Sequence, residues 1–185
     1  MIQRALQKNL EKRIDYKKAI IILGPRQVGK TTLAKAFAEG LQQRFEYFNG
    51  DNIVTRTLWS VSNIESLKQS FGTNKIVILD EAQMIEQIGL VCKQLIDADL
   101  GIQFIITGSS SLDIADKTQE PLTGRKWAYN LYPISCAELM DYQGIPQFLS
   151  LLPQYLVYGM YPEVVTNIND AKEVLTNNAN TSLYK

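Results

Sequence analysis

Histidine is absent from the 185 residues. That removes His-based triads, His-metal sites and imidazole pH switches together. Cysteine is scarce: Cys92 and Cys136 lie far apart without metal-ligand spacing. Both read as ordinary buried thiols of a reducing compartment. No apolar run approaches the ~20 residues of a membrane span, and residues 1–18 are charged throughout, without the apolar stretch of a signal peptide. Net charge is lacking as well, because 19 Lys plus Arg balance 19 Asp plus Glu. The basic excess of a dedicated nucleic-acid binder is missing, although a local basic patch is compatible with that balance. The chain reads as cytoplasmic, with no membrane partner. Apolar residues make up 45% of it, enough for a packed core. Its length suits one α/β core plus a small extension.

Apolar patterning sets the order of elements. Ile2, Leu6, Leu10 and Ile14 recur every fourth residue among charges, which predicts an amphipathic helix. Ala19 to Leu23 is continuously apolar, as in a central parallel strand covered on both faces. Lys30 to Glu39 reads as a helix ended by Gly40. Further strands are expected at Phe45 to Phe48, Lys75 to Leu79, Ile102 to Thr107 and Trp127 to Leu131. Helices are expected at Ile64 to Phe71 and Ile85 to Ile96. This alternation predicts βαβ units: a parallel sheet of about five strands flanked by helices, an α/β architecture. Past Pro133 the texture becomes helical, at Ser135 to Tyr142, Pro146 to Tyr158 and Asp170 to Leu183. We place a boundary here, with a core over residues 1–132 and a helical extension over 133–185.

Between the first strand and its helix lies Gly24-Pro25-Arg26-Gln27-Val28-Gly29-Lys30-Thr31. It matches the phosphate-loop pattern G-x-x-x-x-G-K-[ST] at every fixed position. A loop entering a helix N-terminus offers unpaired backbone N–H groups to an anion, here from Gly24, Gln27, Val28, Gly29, Lys30, Thr31 and Thr32. Gly29 leaves room for close approach, Lys30 neutralises the β- and γ-phosphates, and the Thr31 hydroxyl can ligate Mg²⁺. ATP and Mg²⁺ are therefore the expected ligands. Ile76-Val77-Ile78-Leu79-Asp80-Glu81 ends a strand in two acids, at the sheet edge where open α/β folds bind ligands. Asp80 would hold Mg²⁺, and Glu81 would orient and deprotonate the attacking water. Thr107 and Ser109 follow a fourth apolar run. They sense the γ-phosphate or hold water, or else belong to a Ser-rich turn capping the next helix. Arg125 could stabilise charge on the γ-phosphoryl group, although spacing alone favours a surface arginine. Arg26 is assigned no chemistry. Tyr47, Phe48, Trp59 and Trp127 read as core or rim residues rather than an adenine platform.

The chain resembles the prokaryotic AAA-type ATPases that join an N-terminal ATPase domain to a C-terminal domain of unknown function, often nuclease-like. The resemblance rests on Gly24 to Leu33, on Leu79-Asp80-Glu81-Ala82-Gln83, on Thr107-Gly108-Ser109-Ser110, and on Gly124-Arg125 with Leu131-Tyr132-Pro133-Ile134-Ser135. It implies that the Ile102–Thr107 strand lies between the loop strand and the Asp80 strand. It implies that Thr107 or Ser109 is the sensor, and that Arg125 contacts a phosphate in its own subunit or a neighbour's. A protein or nucleic-acid client and a homo-oligomer of the full-length protein are the candidate partners. At Tyr158-Gly159-Met160-Tyr161-Pro162 the chain departs from the family's usual Gly-Gly pair.

The leading function is an ATPase whose hydrolysis drives or times a conformational change. Alternatives are a nucleotide-gated switch with very slow turnover and a P-loop kinase for a small acceptor. Lys185 is expected to be a boundary rather than the natural terminus, because similar proteins continue further. The helices after Pro133 are expected to lack a packing layer of their own, leaving Leu151, Leu152, Tyr155 and Leu156 as an exposed apolar patch.

Overall fold

The computed structural model describes residues 1–14, 17–109 and 122–183, with side chains to residue 178. Ser110, Ser111, Tyr184 and Lys185 lie outside the described residues. Two compact units are present: residues 6–25 with 30–131, and residues 1–5 with 26–29 and the chain from Tyr132 on.

The larger unit begins at Leu6, within α1 (Ala5–Glu11), whose Leu10 is buried. It continues through β1 (Ala19–Leu23), α2 (Lys30–Gly40), β2 (Phe45–Asn49), α3 (Ile53–Leu58), α4 (Ile64–Ser70), β3 (Ile76–Asp80), α5 (Ile88–Asp97), β4 (Gln103–Gly108) and β5 (Lys126–Asn130). The five strands form one sheet in the order β2-β3-β4-β1-β5, and every pairing is parallel. The expected place of β4 between the loop strand and the Asp80 strand is thus observed.

Strand alternation sends successive side chains to opposite faces. Ala19, Ile21, Val77, Leu79, Phe104 and Ile106 share one cluster with Leu67 of α4 and with Val91, Cys92 and Leu95 of α5. The other face carries buried Ile20, Ile22, Ile78 and Ile105, and α2 buries Leu33, Ala34 and Phe37. Phe48, Trp59, Phe71 and Phe104 pack ring to ring at 5.5–6.1 Å between centroids. Trp59 and Phe71 are therefore core residues.

Two local details depart from expectation. The helix expected from Ile85 starts only at Ile88, because Ala82–Met84 form a 3-10 turn and Gln87 takes a left-handed φ of 51°. Helix α3 was not legible: it is six residues long, started by Asn52, whose side chain accepts from the Val54 N–H.

In the smaller unit, α6 (Cys136–Gln143), α7 (Ile145–Tyr158), α8 (Pro162–Thr166) and α9 (Ala171–Leu183) follow one another. Ser135 starts α6 with a reciprocal capping box to Glu138, which satisfies two otherwise orphaned donors. These helices do have a packing layer, contrary to expectation. Ile134, Leu139, Phe148, Tyr155 and Val165 form a cluster joined by Ile2, Leu151, Leu152 and Met160. Met160 fills space in that cluster where a Gly-Gly pair could not. The expected apolar patch is corrected accordingly: Tyr155 is buried, whereas Leu156 is 78% exposed and shares its exposure with Ile145, Leu149 and Val157. Cys136 is also exposed, against expectation, while Cys92 is buried.

Candidate nucleotide site

The phosphate loop leaves the end of β1, where the Gly24 N–H donates to the Gly108 carbonyl at the matching end of β4 (3.3 Å). Gln27 and Gly29 both have positive φ, 62° and 95°. At Gly29 an added Cβ would find its nearest neighbours at 3.7 Å and beyond. Against neighbouring protein atoms, glycine is therefore needed there for its backbone conformation rather than for space. Val28 is fully buried, while Arg26, Gln27 and Thr32 are exposed. Lys30 is buried, and its Nζ donates to the carbonyls of Gly24 (2.9 Å) and Pro25 (2.8 Å). The ammonium thus ties the start of α2 back to the first two residues of the loop.

Asp80 ends β3 at the same sheet edge, 4% exposed. Three hydroxyls converge on its carboxylate. Thr31 Oγ1 donates to Oδ2 at 2.7 Å, the Tyr47 phenol donates to the same oxygen at 2.9 Å, and Thr107 Oγ1 donates to Oδ1. Thr107 Oγ1 also accepts from the Glu81 N–H (3.4 Å). The parallel pairing of Leu79 with Ile106 explains this, since it carries Asp80 and Thr107 to neighbouring positions one residue on. Burial, the bond to Asp80 and the charges of Asp80, Glu81 and Asp51 together raise the Tyr47 phenol pKa well above its ordinary value. Lys35 Nζ stacks over the Tyr47 ring, 3.9 Å from its centre.

Glu81 adopts a left-handed φ of 50°, and its carboxylate accepts from Gln83 Nε2. Its backbone is pinned by Gly50, whose N–H donates to the Asp80 carbonyl at 2.8 Å. A Cβ at Gly50 would stand 2.3 Å from the Glu81 carbonyl oxygen, so only glycine fits. Tyr47, Gly50 and Gln83 are the site residues that sequence reasoning missed. Tyr47 lies two residues before the end of a strand paired in register with β3. That position was the one available signal, and the pairing partner of β2 was needed to use it.

The structure brings Lys30, Thr31, Asp80, Glu81 and Thr107 together, with Ser109 one residue past the end of β4. It does not bring Arg125. The Arg125 carbonyl accepts from the Ala19 N–H at the amino end of β1, roughly 13 Å of strand from Leu23 at 3.3 Å per residue. Its guanidinium forks onto Asp97, with Nε to Oδ1 at 2.6 Å and Nη2 to Oδ2 at 3.2 Å. The expectation that Arg125 touches a phosphate in its own subunit is corrected: the residue lies at the opposite edge of the sheet. The other aromatic, Trp127, is flanked by Arg13 and Lys18 at 4.2 and 4.3 Å.

Among the described residues no helix is long and apolar enough to cross a membrane. A search of the curated proteins gave no match. Among solved structures, the Thermotoga maritima RuvB Holliday junction branch migration motor aligns with a TM-score of 0.48 at 21% identity, over 73% of this chain and 44% of that one. A point variant of Thermotoga maritima RuvB aligns with a TM-score of 0.50 at 20% identity, over the same shares. The chain thus spans less than half the length of these structures, and the likeness bears on the fold alone. A family model described as an AAA domain matches residues 16–140, more than half of the chain. AAA domains are P-loop nucleotide-binding domains that generally hydrolyse ATP with Mg²⁺. By its phosphate loop, its sheet order and this match, the chain belongs to the AAA domain family.

Proposed function

We propose that the chain binds ATP with Mg²⁺ at the loop of residues 24–31 and hydrolyses the γ-phosphate to drive or time a conformational change. The observation that carries the reading is the 2.7 Å bond from Thr31 Oγ1 to Asp80 Oδ2. It joins the loop hydroxyl to the strand-end carboxylate, the two oxygen groups that such chemistry uses to hold the cation. Among the described residues no three His, Cys, Asp or Glu converge. One carboxylate and one hydroxyl are the sparse oxygen set that suits Mg²⁺ shared with a nucleotide, so the residues fit the ion. Bound there, Mg²⁺ supplies charge neutralisation on the β- and γ-phosphate oxygens. Lys30 adds a second positive charge, and the backbone N–H groups of 27–32 bind phosphate oxygens. Glu81 takes the proton of the attacking water. Thr107 orients Asp80 and the Glu81 backbone, which leaves Ser109 as the candidate for contact with the γ-phosphate. Calorimetry tests the binding half. The parent should bind ATP more tightly with Mg²⁺, and Lys30→Ala should lose tight binding; equal affinity in both proteins sinks the assignment.

The contact from Gln83 to the Glu81 carboxylate favours a second reading, a nucleotide-gated switch with slow turnover. A carboxylate held by an amide is less available to water. Single-turnover hydrolysis separates the two. For a motor, Glu81→Gln should slow hydrolysis about 10²–10⁴-fold and Gln83→Ala should change it little. For a switch, the parent is already slow and Gln83→Ala should accelerate it.

A further inference from the structure

We propose that Arg4 is a positioning residue of the phosphate loop, acting through the Val28 carbonyl and itself held by Glu138. The proposal rests on the nucleotide-site reading above and deepens it.

The Arg4 side chain is 9% exposed and reaches three separate stretches of chain. Its Nη1 donates to the Val28 carbonyl at 3.0 Å. Its Nη2 donates to the carbonyl of Tyr132 at 2.5 Å and, more weakly, to that of Pro133 at 3.5 Å. Its Nε donates to Glu138 Oε1 at 3.1 Å. Glu138 is as fully engaged as its partner. Oε1 also accepts from the Ala5 N–H (2.7 Å), and Oε2 accepts from the N–H (2.7 Å) and hydroxyl (3.1 Å) of Ser135. Burial pushes the Glu138 carboxyl up, but the N–H donors of Ser135 and Ala5 and the Arg4 charge outweigh it and hold it below its ordinary value. The pair is therefore charged and buried. An apolar pair of similar volume is often as stable or more so, so stability alone does not call for a guanidinium here.

The peptide bond supplies what does. In a planar trans peptide, the carbonyl of one residue and the N–H of the next point in opposite directions. Fixing the Val28 carbonyl on Arg4 therefore fixes the Gly29 N–H pointing away from Arg4. Gly29 has a φ of 95°, and a glycine is too permissive to hold one such conformation without an outside restraint. A phosphate loop binds through the direction of its N–H groups. Arg4 sets that direction before any nucleotide arrives, so binding does not have to order the loop. The Pro133-Ile134-Ser135 stretch and Glu138 after it, which the site chemistry leaves unused, gain a role as the mount for this arginine.

The test uses the full chain, with Mg²⁺-ATP as the probe. Arg4→Met keeps the length but no donor, and Arg4→Lys keeps the charge with a single centre. Calorimetry gives affinity, and hydrogen exchange compares the amides of residues 26–30 with those of β1 and β3. Of the bonds that Arg4→Met removes, loss of the one to the Val28 carbonyl, which reaches the loop, predicts about tenfold weaker binding, with a smaller loss for Arg4→Lys. Exchange should quicken at 26–30 and stay unchanged in the strands. If Arg4→Met does not fold, Arg4→Lys carries the same two measurements. Parent protein that fails to bind ATP overturns the site reading, and this inference with it. A parent that binds, beside variants with unchanged affinity, overturns the inference alone. So does exchange that quickens equally in loop and strands, because Arg4 would then merely support the fold.

Discussion

Asp80 is the residue on which the hydrogen bonds of the candidate site converge. A buried carboxylate is costly unless its lone pairs are met, and here three hydroxyls from three elements meet it. Tyr47→Phe removes one donor and nothing else. We expect it to cost about 1 kcal/mol of stability, measured by denaturant unfolding, with Mg²⁺-free ATP affinity unchanged. The same phenol predicts a pH effect. Its pKa in the folded chain lies above its unfolded value of about 10. The unfolded state thus loses the proton first as pH rises, and stability present below pH 10 is lost above it. The parent should lose more stability than Tyr47→Phe between pH 9 and 11; parallel curves would contradict this. Gly50 faces a different constraint, since any Cβ would collide with the Glu81 backbone. Gly50→Ala should destabilise by about 1–3 kcal/mol and slow hydrolysis by displacing Glu81. A variant with parental melting and parental turnover would show that the loop relaxes freely.

At the scale of elements, the central strands are buried on both faces and the two cysteines occupy opposite environments. Cys92 lies in the α5–sheet cluster, and burial pushes its thiol up to about 12. A thiol so protonated and enclosed is a poor nucleophile. Cys136 opens α6 and is exposed. Native protein should therefore take up one equivalent of a maleimide quickly, and two only after unfolding. Intact mass reads the count, and rapid double labelling of native protein would contradict the packing of α5. Arg125 belongs to this scale as well, because its partner is the end of α5. Each of the two holds the other further into its charged form: the hydrogen bond to Arg125 lowers the Asp97 pKa, and that to Asp97 raises the Arg125 pKa. Arg125→Ala should leave ATP affinity and dilute-protein turnover within about twofold, since the residue stands at the sheet edge away from the loop. A large drop in turnover that grows with protein concentration would instead assign it to a neighbouring subunit.

At the scale of the whole molecule, the chain folds as a parallel αβ sheet unit and a helical unit, each with its own apolar cluster. The helical unit includes residues 26–29 of the phosphate loop and the N-terminal stretch that carries Arg4. Short pieces distant in sequence thus enter one packed body.

The apolar runs at Ala19–Leu23, Ile76–Leu79 and Ile102–Thr107, the loop pattern and the Asp-Glu pair were legible in the sequence, because each is a local signal. A strand buried on both faces has to be continuously apolar, and a loop that turns its N–H groups toward phosphate has to carry glycine and lysine at set spacing. Those signals determined the fold class and the positions of Lys30, Thr31, Asp80 and Glu81. Only the tertiary structure decided which residues stand around them. Tyr47 reaches Asp80 because β2 pairs with β3 in register, Gly50 is obligatory because the Asp80–Glu81 backbone passes over it, and Arg4 meets Val28 across 24 residues of sequence. Arg125, adjacent to an expected strand, went to the wrong end of the sheet for the chemistry expected of it. Spacing in sequence does not say which end of a strand faces the site, whereas hydrogen bonds between distant backbones do.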